Sequence, residues 1–132
     1  MPDTQRNTAV VQRLYAGFAT GDLEAVLADM APDIQWTEAE GYPYAGLYSG
    51  PDAIVQGVFA RLATEWEGYR AEPDAYVAQG DRVVALGHYS GRYLKTGKAF
   101  RAPFAHVWTL LDGKLVRFVQ YTDTAVVMKA LE

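Results

Sequence analysis

The sequence predicts an α+β fold, a cone-shaped curved antiparallel sheet wrapped around a long N-terminal helix. Three observations carry this. Apolar residues recur at helical spacing through the first half of the chain, and from residue 69 onward they alternate with period two. An Asp112-Gly113 pair then joins two long apolar runs, 100–111 and 114–122. Helices segregated to one face of a sheet form the layer arrangement that buries both kinds of apolar surface.

Residues 8–20 read as the first helix, with Val10, Val11, Leu14, Tyr15 and Phe18 on one stripe. Gly21 stops it, and Asp22 caps a shorter helix that carries Leu23, Val26, Leu27 and Met30 and ends at Pro32. A short strand follows over 33–38, with Ile34, Trp36 and Glu38 on one face. Residues 39–50 combine glycine and proline with Tyr42, Tyr44 and Tyr48, the composition of a flap over a cavity or of an aromatic surface loop.

Pro51 opens a third helix at its first position, with Ile54, Val55, Val58, Phe59 and Leu62 as its stripe. Tyr69–Ala78 is a strand interrupted at Pro73, so it belongs at a sheet edge or carries a bulge. Gly80-Asp81 turns into a strand over 82–93, where Gly87 and Gly91 let the sheet bend. A turn at 95–98 leads into the hairpin, and Thr122 or Asp123 caps a last helical segment through Leu131, with Asp123 the favoured cap.

Counting outward from the Asp-Gly turn, Leu111 faces Lys114, Trp108 faces Arg117 and Ala105 faces Gln120. One hairpin face then carries Phe104, His106, Trp108, Leu110, Leu115, Arg117, Val119 and Tyr121. The other carries Pro103, Ala105, Val107, Thr109, Val116, Phe118 and Gln120. The first is too aromatic to leave in water, which predicts burial in a homodimer; the second predicts a cavity wall.

At 132 residues with half of them apolar, the chain (1–132) is expected to form one domain with its own core. A net charge of -4 argues against nucleic acid or an anionic membrane as partner. Met1 to Asn7 is polar with no signal-peptide core, and no window reaches membrane-span hydrophobicity. With no cysteine there is neither a disulfide framework nor thiolate chemistry, which suits a cytoplasmic protein.

Among candidate chemical groups, Glu38 stands first. Sharing a face with Ile34 and Trp36, its carboxyl enters an apolar cavity if that face points inward, and desolvation then makes it an acid or base near neutral pH. The alternative is a strand-end glutamate in water beside Glu40. Gln120 is a lone amide among apolar residues and needs a partner. His88 and His106 lack a third ligand, so no metal is expected, and no cofactor motif is present. His106 reads as an interface histidine more readily than a catalytic one, and Asp123 as a cap more readily than a second carboxylate.

Thr8-Ala9-Val10-Val11-Gln12-Arg13, Gly21-Asp22-Leu23, the strand ending at Glu38, and Ala102-Pro103 through His106 with Asp112-Gly113-Lys114 resemble the nuclear-transport-factor-two-like superfamily. Within it the resemblance is to the SnoaL-like and ketosteroid-isomerase-like branch, which implies a cystatin-like α+β roll. It places the isomerases' general base on Glu38 and their oxyanion donors on Leu14, next to Tyr15, and on Ala105. The base position is kept and both donors are lost, so steroid isomerisation itself is not implied. The SnoaL-branch cyclases use a His/Asp pair, of which His106 and Asp123 are the matching residue types. The register from the isomerases puts His106 on the outer face of the sheet.

The expected site therefore has Glu38 as the base, with Gln120 and Tyr15 as hydrogen-bonding partners of the reacting oxygen. Leu14, Phe18, Trp36, Tyr44, Phe59, Tyr89, Ala105, Val107 and Phe118 would contact a small hydrophobic molecule, under a flap over Tyr42–Tyr48. The function this predicts is an isomerase- or cyclase-type acid–base enzyme acting on a hydrophobic, carbonyl-containing substrate. The alternative is a non-catalytic ligand-binding or dimerisation module of the same fold.

Overall fold

Asp3 accepts a hydrogen bond from the Arg6 amide and so starts the first helix, α1 (Thr4–Thr20), four residues before the start expected at residue 8. The computed structural model describes residues 3–132; Met1 and Pro2, the beginning of the polar N-terminal stretch, lie outside the described residues. Gly21 ends α1 in the left-handed conformation at φ 71°, and Asp22 caps α2 (Leu23–Leu27) through the Ala25 amide.

The second helix is shorter than its pattern suggests, because Met30 and Pro32 already belong to β1 (Met30–Glu38). Pro32 is tolerated there because the helix has ended before it. Part of the presumed flap is also a strand: β2 (Gly46–Ser49) pairs antiparallel with β1, Trp36 opposite Tyr48. Pro51 opens α3 (Pro51–Ile54), which continues through a π-helical turn (Val55–Phe59) into α4 (Ala60–Glu65).

Three long strands follow: β3 (Trp66–Gln79), β4 (Arg82–Tyr93) and β5 (Ala99–Leu111). Then come β6 (Lys114–Thr122) and α5 (Thr124–Lys129), which Asp123 caps through the Val126 amide. The six strands form one sheet in the order β2-β1-β6-β5-β4-β3. Only the β1–β6 pair is parallel; the other pairs run antiparallel. Pro73 sits on edge strand β3 next to a register shift, where a missing N–H and an extra residue are both tolerated. There β3 and β4 come so close that a Cβ on Gly87 would lie 2.1 Å from the Glu72 carbonyl oxygen. The sheet curves, and α1 lies in its concavity, with Tyr15 packed against His106 and Trp108 of β5.

The hairpin turns at Asp112 (φ 51°) and Gly113 (φ 78°), with Leu111 opposite Lys114 as expected. One residue further the register changes. Leu110 pairs with Leu115, but Thr109 pairs with Arg117, so Val116 is an extra residue on β6. From there outward Trp108 faces Phe118 and His106 faces Gln120. The bulge puts Phe104, His106, Trp108, Leu110, Leu115, Phe118 and Gln120 on one inward, buried face. The expectation that Phe104, His106 and Trp108 cover a subunit interface is thereby corrected. Ala105, Val107, Val119 and Tyr121 point the other way, and Ala105 and Val107 are not cavity residues.

Candidate active site

Glu38 ends β1 on the same face as Ile34 and Trp36, and that face points inward: Ile34 is fully buried and Glu38 is 5% exposed. The parallel register pairs Trp36 with Phe118 and Thr37 with Val119, so the next step sets Glu38 beside Gln120. The Trp36 and Phe118 rings stack with centroids 3.9 Å apart, forming the apolar floor next to the carboxyl group. Glu38 Oε2 is buried without a hydrogen-bond partner among the described residues. Burial pushes its carboxyl up to about 8. The neighbouring indole N–H of Trp36 tempers that rise, yet it too lacks a partner of proper hydrogen-bond geometry.

An ordered set of polar groups lines the same cavity. His106 is held at both ring nitrogens, Nδ1 by the Tyr15 hydroxyl at 2.5 Å and Nε2 by the Tyr89 hydroxyl. Each hydroxyl oxygen accepts a second hydrogen bond: Trp108 Nε1 donates to Tyr15 (3.1 Å) and Gln120 Nε2 donates to Tyr89 (2.9 Å). Gln120 Oε1 accepts from the Ala39 amide at 3.0 Å, which fixes the orientation of the side-chain amide. Burial lowers His106 to about 3, so its ring is neutral, and burial raises Tyr15 and Tyr89 well above their ordinary range, so both keep their protons.

A neutral imidazole has one N–H, so it donates to one tyrosine and accepts from the other. The tyrosine that receives from His106 already has two incoming donors, and its own O–H is left to point elsewhere. One hydroxyl proton of the pair is therefore not taken up by His106, and both tyrosines line the cavity. A hydroxyl–hydroxyl contact, Tyr42 with Tyr69 at 2.5 Å, lines the same cavity.

Of the residues expected at the site, Leu14, Tyr15, Phe18, Trp36, Glu38, Phe59, Tyr89, Phe118 and Gln120 line one cavity. Tyr44 does not. Its hydroxyl donates to Glu65 (2.7 Å) and accepts from the Trp66 indole (2.7 Å), and its ring packs edge-on against Tyr42. Tyr42 and Tyr44 are both buried, so this segment is a pinned plug and not an open flap. His106, Trp108, Tyr69, Val58, Leu62 and Ala71 also line it and were not among the expected contacts, while Tyr42, expected only in the flap, is part of the wall.

The cavity itself is smaller than a polycyclic ligand requires, about 40 Å³, because Phe18, Trp36, Phe59 and Phe118 occupy its space. Beside it runs a groove of about 490 Å³ between α1–α2 and α4–β3. Among the described residues no cluster of three or more His, Cys, Asp or Glu side chains is placed to hold a metal, and no helix is long and apolar enough to cross a membrane. Asp123 is the cap of α5.

A family model described as the SnoaL-like domain matches residues 11–118. The crystal structure of an NTF2-like protein from Burkholderia thailandensis E264 superposes with a TM-score of 0.93. It is 45% identical, over 96% of this chain and 97% of that one. TerC, co-crystallised with polyporic acid, is 32% identical over 96% of this chain and 98% of its own, with a TM-score of 0.87. A putative polyketide cyclase from Xanthomonas campestris pv. campestris shares the fold at 22% identity over 98% of both chains, TM-score 0.86. No curated protein matches the chain in sequence.

Proposed function

We propose that this chain, which belongs to the SnoaL-like domain family, is a small-molecule acid–base enzyme of the isomerase or cyclase type. Its substrate is hydrophobic and carries a carbonyl group. The observation that carries this reading is Glu38: a buried carboxyl whose Oε2 has no hydrogen-bond partner among the described residues, pushed up to about 8 by desolvation, in a cavity that Tyr15 and Tyr89 also line. Perturbed carboxyls in apolar clefts are the usual form of an enzymatic proton acceptor, because a base works best with a pKa near the working pH.

In the proposed step the Glu38 carboxylate takes a proton from the carbon next to the carbonyl, and the C–H electron pair moves onto the carbonyl oxygen as an enolate. The free O–H of Tyr15 or Tyr89 donates to that oxygen. Returning the proton from Glu38 to a different atom completes an isomerisation; attack of the enolate carbon on a second carbonyl, whose oxygen takes the electron pair and then the proton back from Glu38, completes a cyclisation. A single preorganised donor of this kind is worth roughly 3 kcal/mol of transition-state stabilisation. His106 and Gln120 act as positioning residues that decide where the hydroxyl proton points. TerC with polyporic acid supports a small organic ligand as the occupant.

A non-catalytic ligand-binding or dimerisation module is the second reading, favoured by the small inner cavity. The two are separated by following hydrogen–deuterium exchange at the acidic carbon of a bound ketone in wild type and Glu38→Gln. The catalytic reading requires that the exchange be lost in the variant while binding is kept.

Self-association is part of the proposal, through the outer face of β4–β6 in place of the face first expected. Leu86 (39% exposed) and Tyr121 (57%) flank half-buried Val84, Val107 and Val119 there.

A further inference from the structure

We propose that the groove beside the cavity seats the apolar or aromatic part of the ligand, an uncharged, extended molecule whose carbonyl end reaches Glu38, and that Phe18 and Phe59 form the movable partition between the two. Only the assignment of the carbonyl end rests on the catalytic reading above.

At about 490 Å³ the groove falls in the range of small-molecule sites, whereas the inner cavity, at about 40 Å³, holds little more than water. Neither compartment alone accounts for a hydrophobic ligand with a reacting group. They share the side chains of Phe18, Phe59, Leu62 and Tyr69, so moving those rings joins them. The unpartnered Glu38 Oε2 on the far side of this partition marks where a polar group is missing.

Among the described residues, none lining the groove carries a charge. Its two polar wall groups are already engaged, the Trp66 indole with Tyr44 and the Tyr69 hydroxyl with Tyr42. No uncommitted side-chain donor or acceptor is left to stabilise a charged tail, while Trp66, Leu23 and the faces of Ala60 and Ala63 offer apolar contact. Leu23 remains 45% exposed at the rim, an apolar cost that a bound hydrocarbon removes.

The backbone under Phe59 is irregular. This residue ends the π-helical turn Val55–Phe59. A π-turn holds one extra residue relative to an α-turn, and its migration along the helix changes a side chain's phase by about 100°, one α-helical residue. Such a shift carries the Phe59 ring away from Phe18, which it now faces at 6.0 Å between centroids.

The probe is 2-acetylnaphthalene, a neutral aromatic ketone, with 2-naphthoate as its charged counterpart. Binding is measured by calorimetry and tryptophan fluorescence, neither of which needs turnover. Wild type is expected to bind the ketone at least ten-fold more tightly than the carboxylate. Leu23→Asp is expected to weaken ketone binding at least three-fold, and Ala63→Trp, which fills the groove, at least ten-fold. Both positions are exposed, so both variants fold. No ketone binding by wild type, equal affinity for ketone and carboxylate, or unchanged affinity in either variant overturns the proposal. If Glu38→Gln leaves proton exchange untouched while these binding differences hold, the catalytic reading fails and the groove assignment stands.

Discussion

The Tyr15 hydroxyl lies 2.5 Å from Nδ1 of His106, which joins the first helix to the fifth strand through a buried neutral ring. With Tyr89 on Nε2, no position remains where a charged imidazolium could meet water. Its titration is therefore expected far below that of an exposed histidine. The 15N shifts of His106 should stay those of a neutral imidazole from pH 8 to about pH 4, approaching protonation only near 3. A midpoint near 6.5 would show that the ring is solvated.

The same group sets an acid limit on stability. The unfolded chain protonates His106 below about 6.5 and the folded chain does not, so stability falls as pH drops from 6.5 towards 3. Glu38 acts in the opposite sense. Its folded value near 8 exceeds the unfolded 4.5, so stability falls as pH rises from 4.5 to 8, by roughly 3 kcal/mol at pH 7. Between about 4.5 and 6.5 the two slopes oppose each other. Urea titrations should show Glu38→Gln more stable than wild type at pH 8 and equal to it at pH 4. Equal stability at pH 8 would mean that the carboxyl is not desolvated.

Gly57 sits on the π-turn under the Tyr48 ring, where an added Cβ would lie 2.2 Å from Cε1. Gly57→Ala should cost about 1–3 kcal/mol by overpacking. In a double-mutant cycle Tyr48→Ala should relieve part of that cost, because the two share one contact. Additive losses in urea unfolding would place the strain elsewhere.

Val107 is half-buried on the outer sheet face, away from the cavity. Sedimentation should show a dimer at micromolar concentration for wild type and a monomer for Val107→Lys, since a central ammonium cannot be desolvated between two apolar sheets. A wild-type monomer contradicts the interface.

Most of the architecture was legible because its signals are local. Gly21, Asp22, Pro51, Pro73 and the Asp112-Gly113 turn each have a backbone reason to stand where they do. Glu38 was legible from parity with Ile34 and Trp36 on one strand. What escaped was the bulge at Val116, which carries no glycine or proline to mark it. One extra residue reversed the pairing of every position beyond it and hid His106. A signal did exist: Phe104, His106 and Trp108 are the bulkiest set on β5, and the bulkiest face of a sheet faces its core. β2 escaped because its pairing with β1 is non-local, while its own four residues read as loop.

The central claim is that Glu38 accepts a proton from the ligand, and its pH dependence is the direct test. Deuterium exchange at the methyl carbon of 2-acetylnaphthalene, followed by NMR, should rise with pH through a midpoint near 8 as Glu38 ionises. In Glu38→Gln it should fall to the background rate, with ketone affinity within about two-fold of wild type. Exchange that is equal in the two proteins, or no exchange above background in wild type, would contradict the account.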